Sequence, residues 1–127
     1  MPQTIITTNN KDPISRIGLG AWAIGGWCWG DSDDNESIKT IHKAFDLGIN
    51  IIDTAPVYGF GRSEEVVGRA LKESSIDRTK IILATKFGLD WHHGHLFQNS
   101  EPKRIVQELE DSLKRLQTDY IDLYQIH

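Results

Sequence analysis

The sequence has 127 residues, of which 39% are hydrophobic and 25% are charged, and its formal net charge is −4. This balance is typical of one soluble globular domain, and the acidic charge argues against a nucleic-acid partner. The sequence shows neither an apolar run long enough to cross a bilayer nor a signal peptide at its start, so we expect a cytoplasmic protein with no membrane partner. Cys28 is the only cysteine, which excludes an intrachain disulfide and favours a reducing compartment.

The first 53 residues predict a hairpin, a strand, a helix and a second strand. Residues 3–14 have a turn-like centre and predict a β-hairpin, and residues 17–22 predict a short strand. A polar group at 33–35 can cap a helix that runs to about Leu47, where a glycine follows as a natural stop. The apolar face of this helix is formed by Ile38, Ile41, Ala44 and Phe45. The short β-branched run 49–53 then predicts the second strand.

The remaining residues predict two further helices, each followed by a strand. Ser63 is expected to cap the second helix, with Arg62 and Glu64 forming a solvated end that matches the helix dipole. A strand over residues 80–86 follows. Pro102 then opens a third helix, and residues 120–127 form a fourth strand. The apolar faces of the two helices are formed by Val66, Val67, Ala70 and Leu71, and by Ile105, Leu109, Leu113 and Leu116.

This alternation of strands and helices predicts parallel strands joined by right-handed crossovers. Such a sheet is either open and doubly wound or half of a closed barrel. In the dinucleotide-binding open sheet, a glycine turn leads directly from a strand into a helix. Here Gly18, Gly20, Gly25 and Gly26 lie well ahead of the first helix, which argues against that form.

Three of the predicted strands end in a residue that is unusual for a strand end, namely Asp53, Lys86 and His127. Counting back by twos from each one places apolar residues on the same face: Ile49, Ile51, Ile82, Ala84, Ile121 and Leu123. A barrel has this arrangement, with an apolar interior and catalytic groups at the carboxyl rim. Taken singly, Asp53 is explained equally well as the cap of a turn, and Lys86 is explained better as a solvated lysine. The set of three favours the barrel rim.

Four segments resemble the aldo-keto reductase family: GINIIDTAPVYG at 48–59, GRSEEVVG at 61–68, ILATK at 82–86 and LQTDYIDLYQIH at 116–127. They occur in the family's order and spacing and span nearly the whole chain. The opening IGLGAWAIGG at 17–26 is most similar to the bacterial general stress protein branch. The resemblance implies that residues 1–127 are the N-terminal portion of a single domain. Its fold would be α/β, the N-terminal half of a (β/α)8 TIM barrel with about four parallel strands and three helices after the hairpin.

The resemblance implies that Asp53, Tyr58, Lys86 and His127 are catalytic, in an NAD(P)H-dependent reduction of aldehydes or ketones to alcohols. Reduction of a carbonyl requires a hydride at carbon and a proton at oxygen. A phenol is a weak acid at neutral pH, and a nearby ammonium such as Lys86 favours its phenolate form. Asp53 would keep Lys86 charged, and His127 would orient the carbonyl oxygen. The hydride comes from a cofactor, which the resemblance identifies as NADPH, with NADH as the alternative.

The same resemblance places Ala21, Trp22 and Asp53 at the nicotinamide–ribose end of the cofactor. The remaining cofactor-binding groups of the family come from later strands, and a complete barrel normally needs about 250 residues. We therefore expect an incomplete barrel that is inactive alone. Its open sheet edges predict that it self-associates or pairs with a C-terminal barrel half.

Trp29 and Trp91 are candidates for the substrate pocket, because they follow strand ends and aromatic walls suit apolar carbonyl substrates; packing under long loops explains them equally well. His92, His93 and His95 have no Cys or carboxylate to complete a coordination shell, so the sequence favours a solvated loop and no metal site. Two other functions stay open. One is a non-catalytic or regulatory subunit resembling the potassium channel β subunits, and the other is a barrel enzyme whose strand-end lysine forms a Schiff base.

Overall fold

The computed structural model describes residues 4–5 and 13–127, and its first element is an antiparallel pair of strands. Strand β1 (Thr4–Ile5) pairs with β2 (Ile14–Ser15). The pair agrees with the predicted β-hairpin ahead of the sheet. The residues that would form its turn lie outside the described part of the chain.

Four parallel strands form the central sheet. In the order of the sheet they are β3 (Leu19–Gly20), β4 (Ile51–Asp53), β5 (Ile82–Phe87) and β8 (Leu123–Ile126). All three neighbouring pairs are parallel, with Gly20 opposite Asp53 and Lys86 opposite Gln125. The predicted parallel sheet is therefore confirmed. Each strand is shorter than predicted, and β5 begins late because Arg78–Lys80 forms a 3-10 turn ahead of it.

Three helices connect these strands, as predicted: α1 (Asp34–Asp46), α2 (Arg62–Glu73) and α3 (Pro102–Leu116). The carboxylate of Asp33 accepts hydrogen bonds from the backbone N–H groups of Asn35 and Glu36, so the predicted cap of α1 is confirmed. Gly48 follows the end of α1 with a φ of 81°, which confirms the predicted stop. Within the described residues, none of the helices has the length and apolar character that a membrane span requires.

Helix α2 begins differently from the prediction. Gly61 occupies the position ahead of the helix with a φ of 101°, a conformation that costs glycine little, and no side chain caps this end. Ser63 already lies inside the first turn, so the predicted cap at Ser63 is wrong. Its hydroxyl does not bond to the helix backbone. It donates to the carbonyl oxygen of Ala21, 2.7 Å away in the segment after β3.

The predicted solvated end of α2 is also wrong. Glu64 is fully buried: its Oε1 accepts from the Thr85 hydroxyl at 2.6 Å, and its Oε2 lies 2.7 Å from Nε of Arg115. A carboxylate is buried only where charged and hydrogen-bonding partners replace water, and here those partners belong to β5 and α3. Arg62 is partly buried as well, and its Nη2 lies 2.9 Å from Oδ1 of Asp34 in α1.

The core lies between the central sheet and the three helices. Its fully buried side chains include Ile41, Ile52, Val67, Leu83 and Leu116. The predicted apolar faces of α1 and α2 are confirmed. On α3 the face is shifted from the prediction, because the polar residues Glu108 and Ser112 are buried together with Leu116.

A second hairpin, which the sequence analysis did not predict, follows β5. Strand β6 (Leu89–His92) pairs with the antiparallel strand β7 (His95–Gln98). His93 and Gly94 form the two-residue turn with φ values of 47° and 78°, the positive values that suit the twist of a tight hairpin. The histidines at 92, 93 and 95 are exposed, as expected of a solvated segment, but the segment is a hairpin and not a plain loop. No group of three or more His, Cys, Asp or Glu side chains among the described residues is arranged to hold a metal ion.

Candidate active site

The carboxyl ends of the central strands bring the predicted site residues to one edge of the sheet. Asp53 is the last residue of β4, Lys86 lies near the end of β5, and His127 follows β8. Tyr58 lies in the turn between β4 and α2. Because β5 stands between β4 and β8 in the sheet, Lys86 occupies the centre of the group.

The ammonium group of Lys86 holds this cluster together. Its Nζ lies 2.9 Å from each carboxylate oxygen of Asp53, 2.9 Å from the carbonyl oxygen of Thr54 and 3.2 Å from the hydroxyl oxygen of Tyr58. The Lys86 side chain is only 13% exposed, whereas that of Asp53 is 43% exposed. An ammonium buried to this extent needs such partners to compensate for its lost hydration, and Asp53 supplies them while staying in contact with solvent.

The number of donors on Lys86 fixes the direction of its contact with Tyr58. An ammonium group has three N–H donors and no acceptor. Asp53 and the Thr54 carbonyl oxygen take two directions, and the third reaches the Tyr58 oxygen, which therefore accepts. The hydroxyl hydrogen of Tyr58 is left to point elsewhere. Chemically, this arrangement can donate a proton from the phenol and stabilise the phenolate that remains.

Two glycines allow the Tyr58 turn to lie close against the segment that follows β3. A Cβ added to Gly25 would lie 2.5 Å from the carbonyl carbon of Tyr58, and a Cβ added to Gly59 would overlap the carbonyl oxygen of Gly25. Gly59 also has a φ of 64°. Glycine at both positions therefore fixes where the phenol emerges, beside the strand ends.

Gln125 is a member of the site that the sequence analysis missed. Its Nε2 donates to Oδ1 of Asp53 at 3.2 Å, and it stands opposite Lys86 in the register of β5 and β8. A signal was present, because Gln125 lies two residues before His127 and so shares its face of the strand. The parity argument named only the apolar residues on that face, and an amide carries no charge that would have marked it.

His127 lies beside the phenol. The His127 and Tyr58 rings form a T-shaped pair with centroids 5.8 Å apart. Burial lowers the pKa of His127 below its ordinary value, the ammonium of Lys86 lowers it further, and Asp53 acts in the opposite direction. The imidazole is therefore neutral at pH 7 and offers one N–H donor and one acceptor nitrogen.

An aromatic wall stands on another side of Tyr58. The Trp22 ring stacks on the Tyr58 ring with centroids 6.0 Å apart and is 48% exposed, and Trp29 packs edge-on against Trp22 at 5.3 Å. Ala21 is fully buried, and its N–H donates to the carbonyl oxygen of Asp53 at 2.9 Å. The three residues predicted to meet the nicotinamide, Ala21, Trp22 and Asp53, thus lie together, and Trp29 joins them through Trp22.

Trp91 belongs to a second aromatic group. Its ring centroid lies 5.8 Å from that of Phe60, and the Phe60 centroid lies 5.1 Å from that of Trp27. The two residues predicted to meet substrate are therefore in different surroundings. Trp29 is linked to Tyr58 through Trp22, and Trp91 packs against the turn that follows Tyr58.

Comparisons with known proteins match this chain to one family. The model of the Aldo/keto reductase family matches residues 16–127. The chain belongs to the aldo/keto reductase family. Aldo-keto reductase YhdN from Bacillus subtilis is 62% identical over 89% of this chain and 34% of its own length. NADH-specific methylglyoxal reductase from Escherichia coli is 44% identical over 90% of this chain and 38% of its own length.

A solved structure of an aldo/keto reductase relative has the same fold. The glycerol dehydrogenase AKR11B4 from Gluconobacter oxydans superposes with a TM-score of 0.87 and 53% identity, over 98% of this chain and 38% of that chain. The four parallel strands and three helices therefore correspond to the N-terminal half of a (β/α)8 barrel, as predicted. The chain spans about a third of the length of the curated relatives that it matches.

The described residues of this aldo/keto reductase fit the nicotinamide–ribose end of a reduced nicotinamide cofactor. Trp22 offers a half-exposed aromatic face, and Asp53 offers carboxylate oxygens that solvent can reach. A Cβ added to Gly20, opposite Asp53 in the sheet, would meet nothing within 4 Å, so the space beside the carboxylate is open. The Trp22 face suits a flat ring, and the Asp53 carboxylate suits a sugar hydroxyl. Neither side chain suits the phosphates of the cofactor.

Proposed function

We propose that this site reduces aldehydes or ketones to alcohols, with a hydride from a reduced nicotinamide cofactor. Because the chain covers about a third of its curated relatives, the activity is proposed for the barrel that the chain helps to build. The observation that carries the proposal is the 3.2 Å contact in which Lys86 Nζ donates to the hydroxyl oxygen of Tyr58. That contact leaves the phenolic hydrogen available to a substrate oxygen.

Each residue of the site has one task in the proposed reaction. Tyr58 donates its hydrogen to the carbonyl oxygen as negative charge develops there, and Lys86 stabilises the phenolate that forms. Asp53 holds the ammonium with both carboxylate oxygens. Neutral His127 donates a hydrogen bond to the same carbonyl oxygen and orients it. The bound cofactor supplies the hydride, which no side chain can provide.

We propose NADPH as the cofactor, with NADH as the alternative. Ala21, Trp22 and Asp53 would hold the nicotinamide–ribose end, where the open space beside Asp53 supports this assignment. The name of the Escherichia coli relative, an NADH-specific reductase, supports keeping NADH as the alternative. Trp29 and Trp91 are proposed as aromatic walls for the substrate. Turnover compared at equal concentrations of the two cofactors decides between them.

The test is a chimera in which these 127 residues replace the matching segment of the Bacillus subtilis relative. We expect it to oxidise NADPH when small aldehydes or ketones, including methylglyoxal, are added. A folded chimera that binds NADPH but reduces no carbonyl compound would contradict the proposal, and it is the result that the regulatory-subunit hypothesis predicts. Borohydride trapping of a carbonyl compound on Lys86 would instead favour the Schiff-base hypothesis.

We also propose that the chain on its own self-associates or pairs with a C-terminal barrel half. Strands β3 and β8 are the outer strands of the sheet, and at β8 the side chains of Leu123 and Ile126 are 46% and 78% exposed. Unpaired strand edges beside apolar side chains favour association. We expect species larger than a monomer in sedimentation velocity at micromolar concentration, together with weak NADPH binding and no turnover. A clean monomer would contradict the association.

A cytoplasmic location completes the proposal. Cys28 is exposed and is the only cysteine in the sequence, which supports a reducing compartment. Cell fractionation with an antibody to this chain tests the location, and recovery from an oxidising compartment would contradict it.

A further inference from the structure

Ser63 lies where three segments of the site meet. It is fully buried; its hydroxyl donates to the Ala21 carbonyl oxygen at 2.7 Å and lies 2.9 Å from the Thr54 hydroxyl. Its backbone N–H donates to the Tyr58 carbonyl oxygen at 3.1 Å. A hydroxyl carries one hydrogen, and Ser63 gives that hydrogen to Ala21, so Thr54 is the donor in the contact between the two hydroxyls.

The three partners of Ser63, namely Ala21, Thr54 and the Tyr58 backbone, all belong to segments next to the Tyr58 phenol. Ala21 precedes Trp22, whose ring stacks on Tyr58. Thr54 is also fully buried, and its carbonyl oxygen accepts from Lys86 Nζ at 2.9 Å. Through them, Ser63 is connected to the aromatic wall, to the ammonium group and to the turn that carries Tyr58.

Ser63 is itself fixed by the helix that carries it. The next residue, Glu64, is locked by Thr85 of β5 and Arg115 of α3. A shift of the first turn of α2 would therefore break the contacts of a buried carboxylate, which is strongly destabilising in general. A side chain on such a rigid element holds its partners more precisely than one on a free loop.

We propose that Ser63 is a positioning residue, which keeps the Tyr58 hydroxyl and the Lys86 ammonium in contact by tying Thr54 and Ala21 to the start of α2. It acts through these residues and does not touch the reacting atoms. The chemical meaning of this role rests on the proposed function. The geometry that it describes can be tested without turnover.

The test uses two variants that break the link and two that preserve it. Ser63→Ala removes the shared hydroxyl, and Thr54→Val removes the hydroxyl that donates to it. Thr54→Ser keeps that donor. Ser74→Ala makes the same chemical change as Ser63→Ala at the other end of α2, where the Ser74 hydroxyl donates to the Leu71 carbonyl oxygen at 2.9 Å.

Two NMR measurements on the chimera report the geometry. The first is the cross-peak between the Trp22 and Tyr58 rings, and the second is the pH titration of the His127 ring. In Ser63→Ala and Thr54→Val we expect the cross-peak to lose at least half its intensity. We expect the pKa of His127 to rise toward its ordinary value. Displacement of the Tyr58 ring and of the Lys86 ammonium would make the imidazole less buried and remove a nearby positive charge. Ser74→Ala and Thr54→Ser should match the unmodified chimera.

An unchanged cross-peak and an unchanged His127 titration in folded Ser63→Ala would overturn the proposal. If Ser63→Ala does not fold, Thr54→Val against Thr54→Ser decides, and equal spectra for these two would overturn it. In the chimera we expect Ser63→Ala to lower kcat by about tenfold at an unchanged KM, as a misplaced acid would. If the unmodified chimera reduces no carbonyl compound, the proposed function fails, and the NMR comparison still decides the role of Ser63.

Discussion

Two cation–carboxylate pairs lie on opposite faces of the central sheet, and they differ in what encloses them. Thr85 and Lys86 are neighbours on β5, so their side chains point to opposite faces. On the helix side, Thr85 contacts the fully buried Glu64, which is paired with Arg115. On the other side, Lys86 is paired with Asp53, which is 43% exposed.

The difference separates a structural pair from a pair that can do chemistry. Both oxygens of Glu64 are taken by protein donors, so that pair joins α2 to β5 and α3 and is closed to any ligand. The ammonium of Lys86 has a donor left for the Tyr58 phenol after it has bound Asp53 and Thr54. Similar charges therefore serve different purposes, because the Glu64 carboxylate is fully buried and bonded through both oxygens, whereas the Asp53 carboxylate is open to solvent at the end of the sheet.

Breaking the closed pair should have the largest effect on stability. Glu64→Ala leaves Arg115 without its charge partner and Thr85 without its acceptor, and we expect a loss of about 3 kcal/mol in the free energy of unfolding. Urea denaturation of the chimera measures this. Glu65→Ala changes the exposed neighbour on the same helix and should cost less than about 0.5 kcal/mol. Equal effects for the two variants would contradict the role of Glu64 in joining α2 to β5 and α3.

Breaking the open pair should affect chemistry more than stability. Lys86→Met keeps the length of the side chain and removes the ammonium, so the Tyr58 phenolate loses its stabilising charge. We expect carbonyl reduction by the chimera to fall by at least about a hundredfold. Because Asp53 stays in contact with solvent, the free energy of unfolding should change by about 1 kcal/mol or less. A stability loss as large as that of Glu64→Ala, with activity retained, would reverse the comparison.

The smallest effect is a shift in the titration of His127. Burial and then the Lys86 ammonium lower its pKa, so folding favours the neutral imidazole. The resulting stabilisation is present above the unfolded-state pKa of about 6.5 and is lost as the pH falls through the folded-state pKa. We expect NMR titration to place this pKa below 6.5 and Lys86→Met to raise it. Lys72→Met, at the exposed far end of α2, is the control and should leave it unchanged.

Local patterns in the sequence were sufficient to predict the strand–helix order and the polar strand ends. The α1 helix shows why: Asp33 as its cap and Gly48 as its stop are signals that act within one turn of the chain. The alternation of side chains along a strand likewise predicted that Asp53 and Lys86 share a face. The family resemblance added Tyr58, which no periodicity would have placed beside them.

Two features that the sequence analysis predicted wrongly depend on partners far away in the chain. Glu64 was predicted to be solvated because the helix dipole favours an acidic residue there, but its partner Arg115 lies 51 positions away. The Ser63 hydroxyl likewise bonds to Ala21, 42 positions away, and not to its own helix. A local rule for helix ends cannot distinguish a cap from a tertiary contact, because both place the same residue types in the first turn.

The most direct test compares two phenols, Tyr58 in the turn after β4 and Tyr124 in β8. Tyr58 contacts Lys86, whereas burial and the nearby Glu108 and Glu64 carboxylates raise the pKa of Tyr124, whose hydroxyl lies 3.5 Å from the Ile105 carbonyl oxygen. Each tyrosine is changed to phenylalanine in the chimera, and NADPH-dependent reduction of an aldehyde is measured. Tyr58→Phe should lose at least about a hundredfold in kcat, and Tyr124→Phe should keep most of its activity. Full activity in a folded Tyr58→Phe chimera would contradict the assignment of Tyr58 as the proton donor.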